Sequence, residues 1–250
     1  MAAAESILYP EDWHQRLQEP ILPDEDGIPP SPGDLAVFLR EAVAAALGIL
    51  PQPVCVALSG GLDSTILAVL AGPDVPALTI GGSEDHPDVV HARQAATAFN
   101  LHHDVVFLLG KNPYDLLFQA MADHGFSGAL CGDTVDEFMG GYRTHQESPG
   151  TLPEVFQEEW EVLYPRHIEP LSVAATHAGM KVALPYLSLT TIIRRIPLDL
   201  RVSPYERKIL LRQVARELGV PEEIIRRKKV GLYSAGYSNE QLPAWMRTPS

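Results

Sequence analysis

Residues 54–70, VCVALSGGLDSTILAVL, constrain the fold of this chain more than any other stretch. The apolar run 54–58 has the length of a buried strand, and 64–71 has the spacing of a helix. Only the segment from Ser59 to Asp63, which includes Gly60 and Gly61, separates them, so the chain must turn from strand directly into helix. The rhythm then repeats. Strands are expected at 77–80, 104–108 and 127–131, with helices at 88–99 and 114–124 between them. An earlier helix is expected from Asp34, read as its N-cap, to Gly48. Short apolar strands alternating with helices predict an α/β fold, a doubly wound parallel sheet covered on both faces. Its crossovers should be right-handed. Ligands in such sheets bind beyond the carboxyl ends of the strands, near the switch point of strand order.

The turn itself suits an anion. Backbone N–H groups at the start of the helix point into the loop, and the helix dipole favours negative charge there. Glycines let phosphate oxygens approach the backbone. Ser59 and Ser64 add hydroxyl donors. Asp63 would repel a phosphate unless a divalent metal lay between them, and Mg²⁺ binds in that way, through one or two carboxylates plus phosphate oxygens. The alternative is a strand–turn–helix whose glycines serve only the turn. The pattern S-G-G-x-D-[ST] arises by chance in about one chain in a thousand of this length, which favours the functional reading. A P-loop would carry G-x-x-x-x-G-K-[ST], and a dinucleotide fold G-x-G-x-x-G. Neither occurs here, so simple γ-phosphate cleavage and dinucleotide binding lose support.

The chain has 250 residues, enough for one domain or one domain with an appendage. Its net charge of -13 opposes nonspecific binding to nucleic acid. The charge is uneven: residues 201–231 hold nine basic residues against four acidic ones. That run is either a solvated face or a cover for an anionic ligand. No apolar run is long enough to span a bilayer, and the start carries no signal-peptide pattern, so no membrane association and a cytoplasmic location are expected. Cys55 and Cys131 lie in expected strands and read as buried free thiols. His86, His91, His102 and His103 lack a third ligand at metal spacing and read as a solvated loop and strand end. From about Phe138 the pattern becomes mostly helical, with helices expected at 153–164, 170–179, 188–196 and 205–218 and a short one from 221.

Ser59-Gly60-Gly61-Leu62-Asp63-Ser64 resembles the pyrophosphate loop of the ATP pyrophosphatase superfamily, whose members cleave ATP between the α and β phosphates and adenylate a substrate. A second segment, LCGDTVDEFMGGY at 130–142, is similar to the asparagine synthetase segment Ser-Gly-[Glu/Asp]-Gly-x-Asp-Glu followed by Gly-Gly-Tyr. Asp133, Asp136, Glu137, Gly140, Gly141 and Tyr142 fall on it. LPYLS at 184–188 is similar to that family's Pro-Phe-Leu-Asp, KILLR at 208–212 to its Lys-x-x-Leu-Arg, and RRKKVGL at 226–232 to its Arg-x-Lys loop, with Lys229 on the essential lysine. The motifs keep the family's order over about residues 35–235.

The resemblance implies an adenine nucleotide alpha hydrolase-like core over 34–142 with an ATP-binding pyrophosphate loop. It implies a helical part of the synthetase domain over 143–235, preceded by an irregular arm at 1–33 and followed by a tail at 236–250. It implies ATP and Mg²⁺ as cofactors. Asp63 and Asp136 would hold the metal. Lys229, with Lys208 and Arg212, would neutralise charge building on pyrophosphate or on the tetrahedral intermediate. The nucleotide would lie against Leu58, Ser59, Gly60, Gly61, Leu62, Asp63, Ser64, Thr79, Ile80, Cys131, Gly132 and Asp133. Other readings stand beside these. Asp133 and Glu137 fit the acidic start of a helix, Lys208 and Arg212 fit a solvated i, i+4 pair, and Lys229 fits surface charge.

The chain also departs from the family. Ala2 follows Met1 where a glutaminase domain would expose a cysteine, and only about fifty residues precede the loop, so no glutamine hydrolysis is expected on this chain. The stretch from Tyr142 to Pro185 is short, Ser188 replaces an aspartate, and Thr134 replaces a glycine. The implied function is an AMP-forming carbon–nitrogen ligase resembling asparagine and β-lactam synthetases. It would join a small-molecule carboxylate to ammonia or an amine, with a separate glutaminase as a candidate partner. A degenerate nucleotide-binding module acting in a complex is the alternative.

Overall fold

The computed structural model describes residues 6–8, 19, 21–24, 27–107 and 112–227. Among the described residues, six parallel strands form one sheet: β1 Ile7–Leu8, β2 Val54–Ala57, β3 Ala77–Gly81, β4 His103–Phe107, β5 Gly128–Leu130 and β6 Lys181–Ala183. Their order across the sheet is β1-β6-β5-β2-β3-β4. Four of them match the sequence expectation to within two residues. The other two do not. β1 lies in the stretch read as an irregular arm, and β6 lies in the stretch read as helical. Both are too short to show a period-two pattern, and partners specify them: Ile7 registers with Val182 and Ala129 with Val182 on its other side.

Helices fill the connections. They are α1 Pro32–Ile49, α2 Leu62–Ala71, α3 Pro87–Ala98, α4 Pro113–Asp123, α5 Val135–Met139, α6 Arg143–Glu147, α7 Leu152–Glu161, α8 Glu169–His177, α9 Leu198–Arg201, α10 Ile209–Glu217 and α11 Glu222–Ile225. Right-handed crossovers place helices on one face when the chain steps from β1 to β2, β3 and β4, and on the other when it steps back to β5 and β6. The packing agrees, since α1 contacts α2 and α10, whereas α4 contacts α8. Among the described residues, no helix is long and apolar enough to cross a membrane.

Three local readings are corrected. The N-cap of α1 is Ser31, not Asp34. Asp34 is the third helical residue and closes a capping box, its N–H donating to Ser31 Oγ at 3.1 Å while Ser31 N–H donates to its carboxylate at 3.2 Å. The expected helix 188–196 is two 3₁₀ stretches, Pro185–Thr191 and Ile193–Arg195. The expected helix 205–218 starts only at Ile209, because Lys208 has a left-handed backbone with φ 55°.

One buried cation holds the second half of the chain together. Arg201 is fully buried, and its guanidinium donates to the carbonyls of Ile196 (2.9 Å), Phe138 (3.3 Å), Ile21 (2.9 Å) and Ile193 (2.7 Å). It also lies 5.4 Å from the Phe156 ring centre. Burial alone pushes its pKa down to about 9. It thereby ties the N-terminal arm to α5 and to the 3₁₀ stretches.

Candidate active site

β2 and β5 are neighbours in the sheet but not in sequence, so the strand order reverses between them. The loops after these two strands therefore meet at the carboxyl edge, where a crevice opens. The cleft there has a volume of about 860 Å³, counting space open to solvent. Leu58, Ser59, Asp63, Ser64, Thr79 and Ile80 line it from the β2 and β3 side. Gly132, Asp133 and Asp136 line it from the β5 side, and Asp88, Tyr114 and Leu117 add to the wall.

The loop after β2 folds around Ser64. The Ser59 N–H donates to Ser64 Oγ at 3.0 Å, and Ser64 Oγ donates to the Gly61 carbonyl at 3.3 Å. Gly61 caps α2, and Leu62 begins it. Gly60 has φ 65° and lies against the backbone of α3 at His91 and Ala92. Gly60, Gly61 and Leu62 thus shape the loop from behind. Cys131 is also behind the wall: it is fully buried, and its N–H donates to the Ala183 carbonyl at 3.1 Å. Burial raises the Cys55 thiol to about 12 and Cys131 well above the ordinary range, so both are inert free thiols.

Asp63 and Asp136 are the second residues of α2 and α5, and both carboxylates reach one point. Lys208 Nζ stands there, 2.6 Å from Asp63 Oδ2 and 2.6 Å from Asp136 Oδ1. Burial would lower the pKa of this ammonium, but the charges of Asp136 and Asp63 more than reverse that and raise it. Gly141 makes room for the pair, since a Cβ there would lie 1.6 Å from Asp136 Oδ1 and 2.6 Å from Lys208 Cε. Thr134, between the two acidic positions of its loop, is left-handed at φ 78°, which suits the glycine of the family pattern better than a β-branched residue. Among the described residues, no group of three or more His, Cys, Asp or Glu is placed to hold a metal. Two carboxylates meeting at one point are a donor set that fits Mg²⁺, and the Lys208 ammonium takes that point in this structure.

Sequence reasoning missed several supporting residues. The Tyr114 hydroxyl donates to Asp133 Oδ1 at 2.6 Å, and the Tyr186 hydroxyl donates to the Asp63 carbonyl at 2.9 Å. Burial first, then the nearby carboxylates, holds both phenols protonated. The tyrosine in LPYLS was the one signal available for Tyr186. Arg227 forms a buried ion pair with Asp88 and donates to the Ser59 carbonyl at 3.2 Å. His103 is not a solvated strand end. It is half-buried, and since the Thr79 hydroxyl donates to the Leu58 carbonyl, Thr79 Oγ1 accepts from His103 Nε2 at 2.7 Å. Arg212 turns to protein carbonyls, those of Arg207 (2.7 Å from Nε) and Ile225. Lys229 and the tail lie outside the described residues.

Behind Asp136, Glu137 is buried, accepts from the Tyr142 hydroxyl and lies 3.3 Å from His167 Nε2. Burial, and then the Asp136 charge, pushes its carboxyl up to about 8. Burial pushes His145 and His167 down to about 4, so neither supplies a neutralising charge. Folding therefore takes up a proton at Glu137. The associated stability is present below the ordinary carboxyl value of 4.5 and is lost as pH rises through about 8. Glu137→Gln keeps the neutral shape and should remove this loss. Urea unfolding at about pH 5 and about pH 8 should show the wild type losing more stability between the two than the variant. Equal pH slopes for the two proteins would refute the assignment.

The asparagine synthase family model matches residues 34–122 and 149–248 of this chain. The unmatched interval between them holds Asp133, Asp136 and Glu137. No curated protein matches the chain. Among solved structures, that of NMN synthetase from Francisella tularensis is similar over 80% of this chain and 75% of that one, at 15% identity and a TM-score of 0.38.

Proposed function

We propose that this chain, which belongs to the asparagine synthase family, is an ATP-using ligase that forms an amide from a carboxylate and ammonia or an amine. A carboxylate oxygen attacks the α-phosphorus of ATP, the bond to the αβ-bridging oxygen breaks, and pyrophosphate leaves. The nitrogen lone pair then attacks the acyl carbon. AMP departs with its oxygen, and the nitrogen gives up a proton.

The observation that carries this reading is the convergence of Asp63 and Asp136 on one cation position beside the loop 59–64, where the strand order reverses. Asp63 and Asp136 would hold Mg²⁺, which when bound offsets charge on the pyrophosphate leaving group. The loop N–H groups and the start of α2 receive phosphate oxygens, and Ser59 adds a hydroxyl. Leu58, Thr79, Ile80 and Gly132 line the adenine side. Lys208 brings its ammonium to the phosphates. Arg212 holds the turn that carries Lys208 by bonding the Arg207 carbonyl.

Lys229 remains part of the proposal on the strength of Arg227, whose guanidinium lies on the phosphate loop. The two residue steps from Arg227 to Lys229 span up to about 7 Å, and the lysine side chain extends further. A small-molecule carboxylate, with ammonia drawn from solution or from a separate glutaminase, completes the substrate set.

The test is carboxylate-dependent exchange of labelled pyrophosphate into ATP, run across a panel of carboxylic acids, with products resolved as AMP or ADP. Exchange with AMP as product is expected. ADP and phosphate as products would overturn the ligase. ATP binding without exchange for any acid would favour a nucleotide-binding module.

A further inference from the structure

The ammonium of Lys208 occupies the point that the nucleotide reading assigns to a metal. Three features keep it there. Its Nζ lies 2.6 Å from a carboxylate oxygen of Asp63 and 2.6 Å from one of Asp136. Its backbone is held in a left-handed conformation, at φ 55°, that a side chain with a Cβ rarely adopts. The absence of a side chain at Gly141 leaves the space into which Asp136 and the Lys208 stem fit. Lys208 is also buried, so its charge depends on these two partners rather than on water.

We propose that Lys208 is a displaceable counter-cation. In the nucleotide-free protein its ammonium pairs with both Asp63 and Asp136 and keeps a divalent cation from loading by itself. The proposal rests on the ATP reading above. A divalent ion arriving alone would have to expel a buried ammonium and leave it without an anionic partner, which is costly. An ion arriving with ATP brings phosphate oxygens into the same cleft. The ammonium then exchanges two carboxylates for phosphates, and the four-carbon lysine stem lets it move while its Cα stays fixed. The same side chain thus guards the metal position before loading and serves the leaving group afterwards. Metal and nucleotide should bind with strong positive coupling.

Mn²⁺ binding, followed by loss of the free-ion EPR signal, tests this without turnover. For the wild type, once the Mn²⁺ held by α,β-methylene-ATP in a protein-free titration is subtracted, Mn²⁺ should bind the protein about 10- to 100-fold more tightly with the analogue present than alone, within the usual range of coupling between sites. In Lys208→Met, Mn²⁺ alone should bind at least about tenfold more tightly than it does to the wild type. This gain should vanish in Lys208→Met/Asp136→Asn. Lys208→Gln serves if the methionine variant does not fold. Equally tight binding to the wild type with and without the nucleotide analogue, at a site lost in Asp136→Asn, would overturn the counter-cation role while leaving the metal site standing. A folded Lys208→Met with no gain would also overturn it. If no Mn²⁺ binds even with the analogue, the ATP reading itself fails and the proposal falls with it.

Discussion

Gly60→Ala is expected to lower kcat/KM for pyrophosphate exchange by about 100-fold or more and to destabilise the fold by about 2–4 kcal/mol. The added Cβ would lie 2.4 Å from the Ala92 nitrogen, 2.6 Å from the His91 carbonyl carbon and 2.8 Å from His91 Cβ. Two of these are backbone atoms, so no side-chain rotation relieves the clash. α3 cannot retreat easily, because Val89, Ala92 and Ala95 are fully buried on its inner face. The alanine would also have to hold φ 65°, at a cost of about 1–2 kcal/mol. The loop must then shift by about an ångström, and displacement of that size costs about 100-fold when donors must meet a reacting phosphate. Denaturant unfolding and the exchange assay measure the two effects separately. A variant with wild-type stability and an unchanged KM for ATP would mean that the loop does not rest on α3.

Arg201→Met is expected to cost about 3–5 kcal/mol in denaturant unfolding. Methionine refills much of the volume but supplies no donors. Four carbonyls, those of Ile21, Phe138, Ile193 and Ile196, would lose the group they bond. The Phe138 carbonyl is near the C-terminal end of α5, where helices lack internal donors, so a cation is favoured there. Some of the loss is offset, because burying the guanidinium without a carboxylate partner is itself unfavourable. Since α5 also carries Asp136, the variant should bind nucleotide more weakly even where it remains folded. Arg201→Lys keeps the charge but has fewer donors and no planar fork, so it should recover less than half of the lost stability. Full recovery would show that charge at the end of α5, rather than the set of carbonyl bonds, is what matters.

The parts of the site that were legible in the sequence are those specified by adjacent residues. The strand, the two glycines, Asp63 and Ser64 lie within one short run, and local turn chemistry alone implies a loop open to an anion. Asp136 was legible through a motif of similar length. What was not legible depends on residues distant in sequence. Lys208 meets Asp63 across 145 positions, and Tyr186 meets the carbonyl of the same residue across 123. No periodicity encodes such pairs. Lys208 read equally well as half of an i, i+4 pair with Arg212, but in the structure its side chain goes to Asp63 and Asp136 while that of Arg212 goes to the Arg207 and Ile225 carbonyls. Strands β1 and β6 escaped notice because they have two and three residues. Their extended form comes from a place in the sheet rather than from their own alternation.

The position of β1 also bears on how the chain is made. β1 precedes every other described strand, yet its sheet neighbour is β6, with Ile7 beside Val182. On a ribosome adding about 5–20 residues per second, the first strand waits roughly 10–35 seconds before its partner emerges. β2, β3 and β4 are made in succession and can pair as they appear, so the half of the sheet that carries the loop 59–64 is free to assemble early. Until residues 181–201 are made, the arm has no sheet neighbour at the opposite edge and Ile21 has no Arg201 guanidinium to bond. Synthesis therefore leaves an interval in which the loop 59–64 can exist while the acidic helix that faces it is still unsecured.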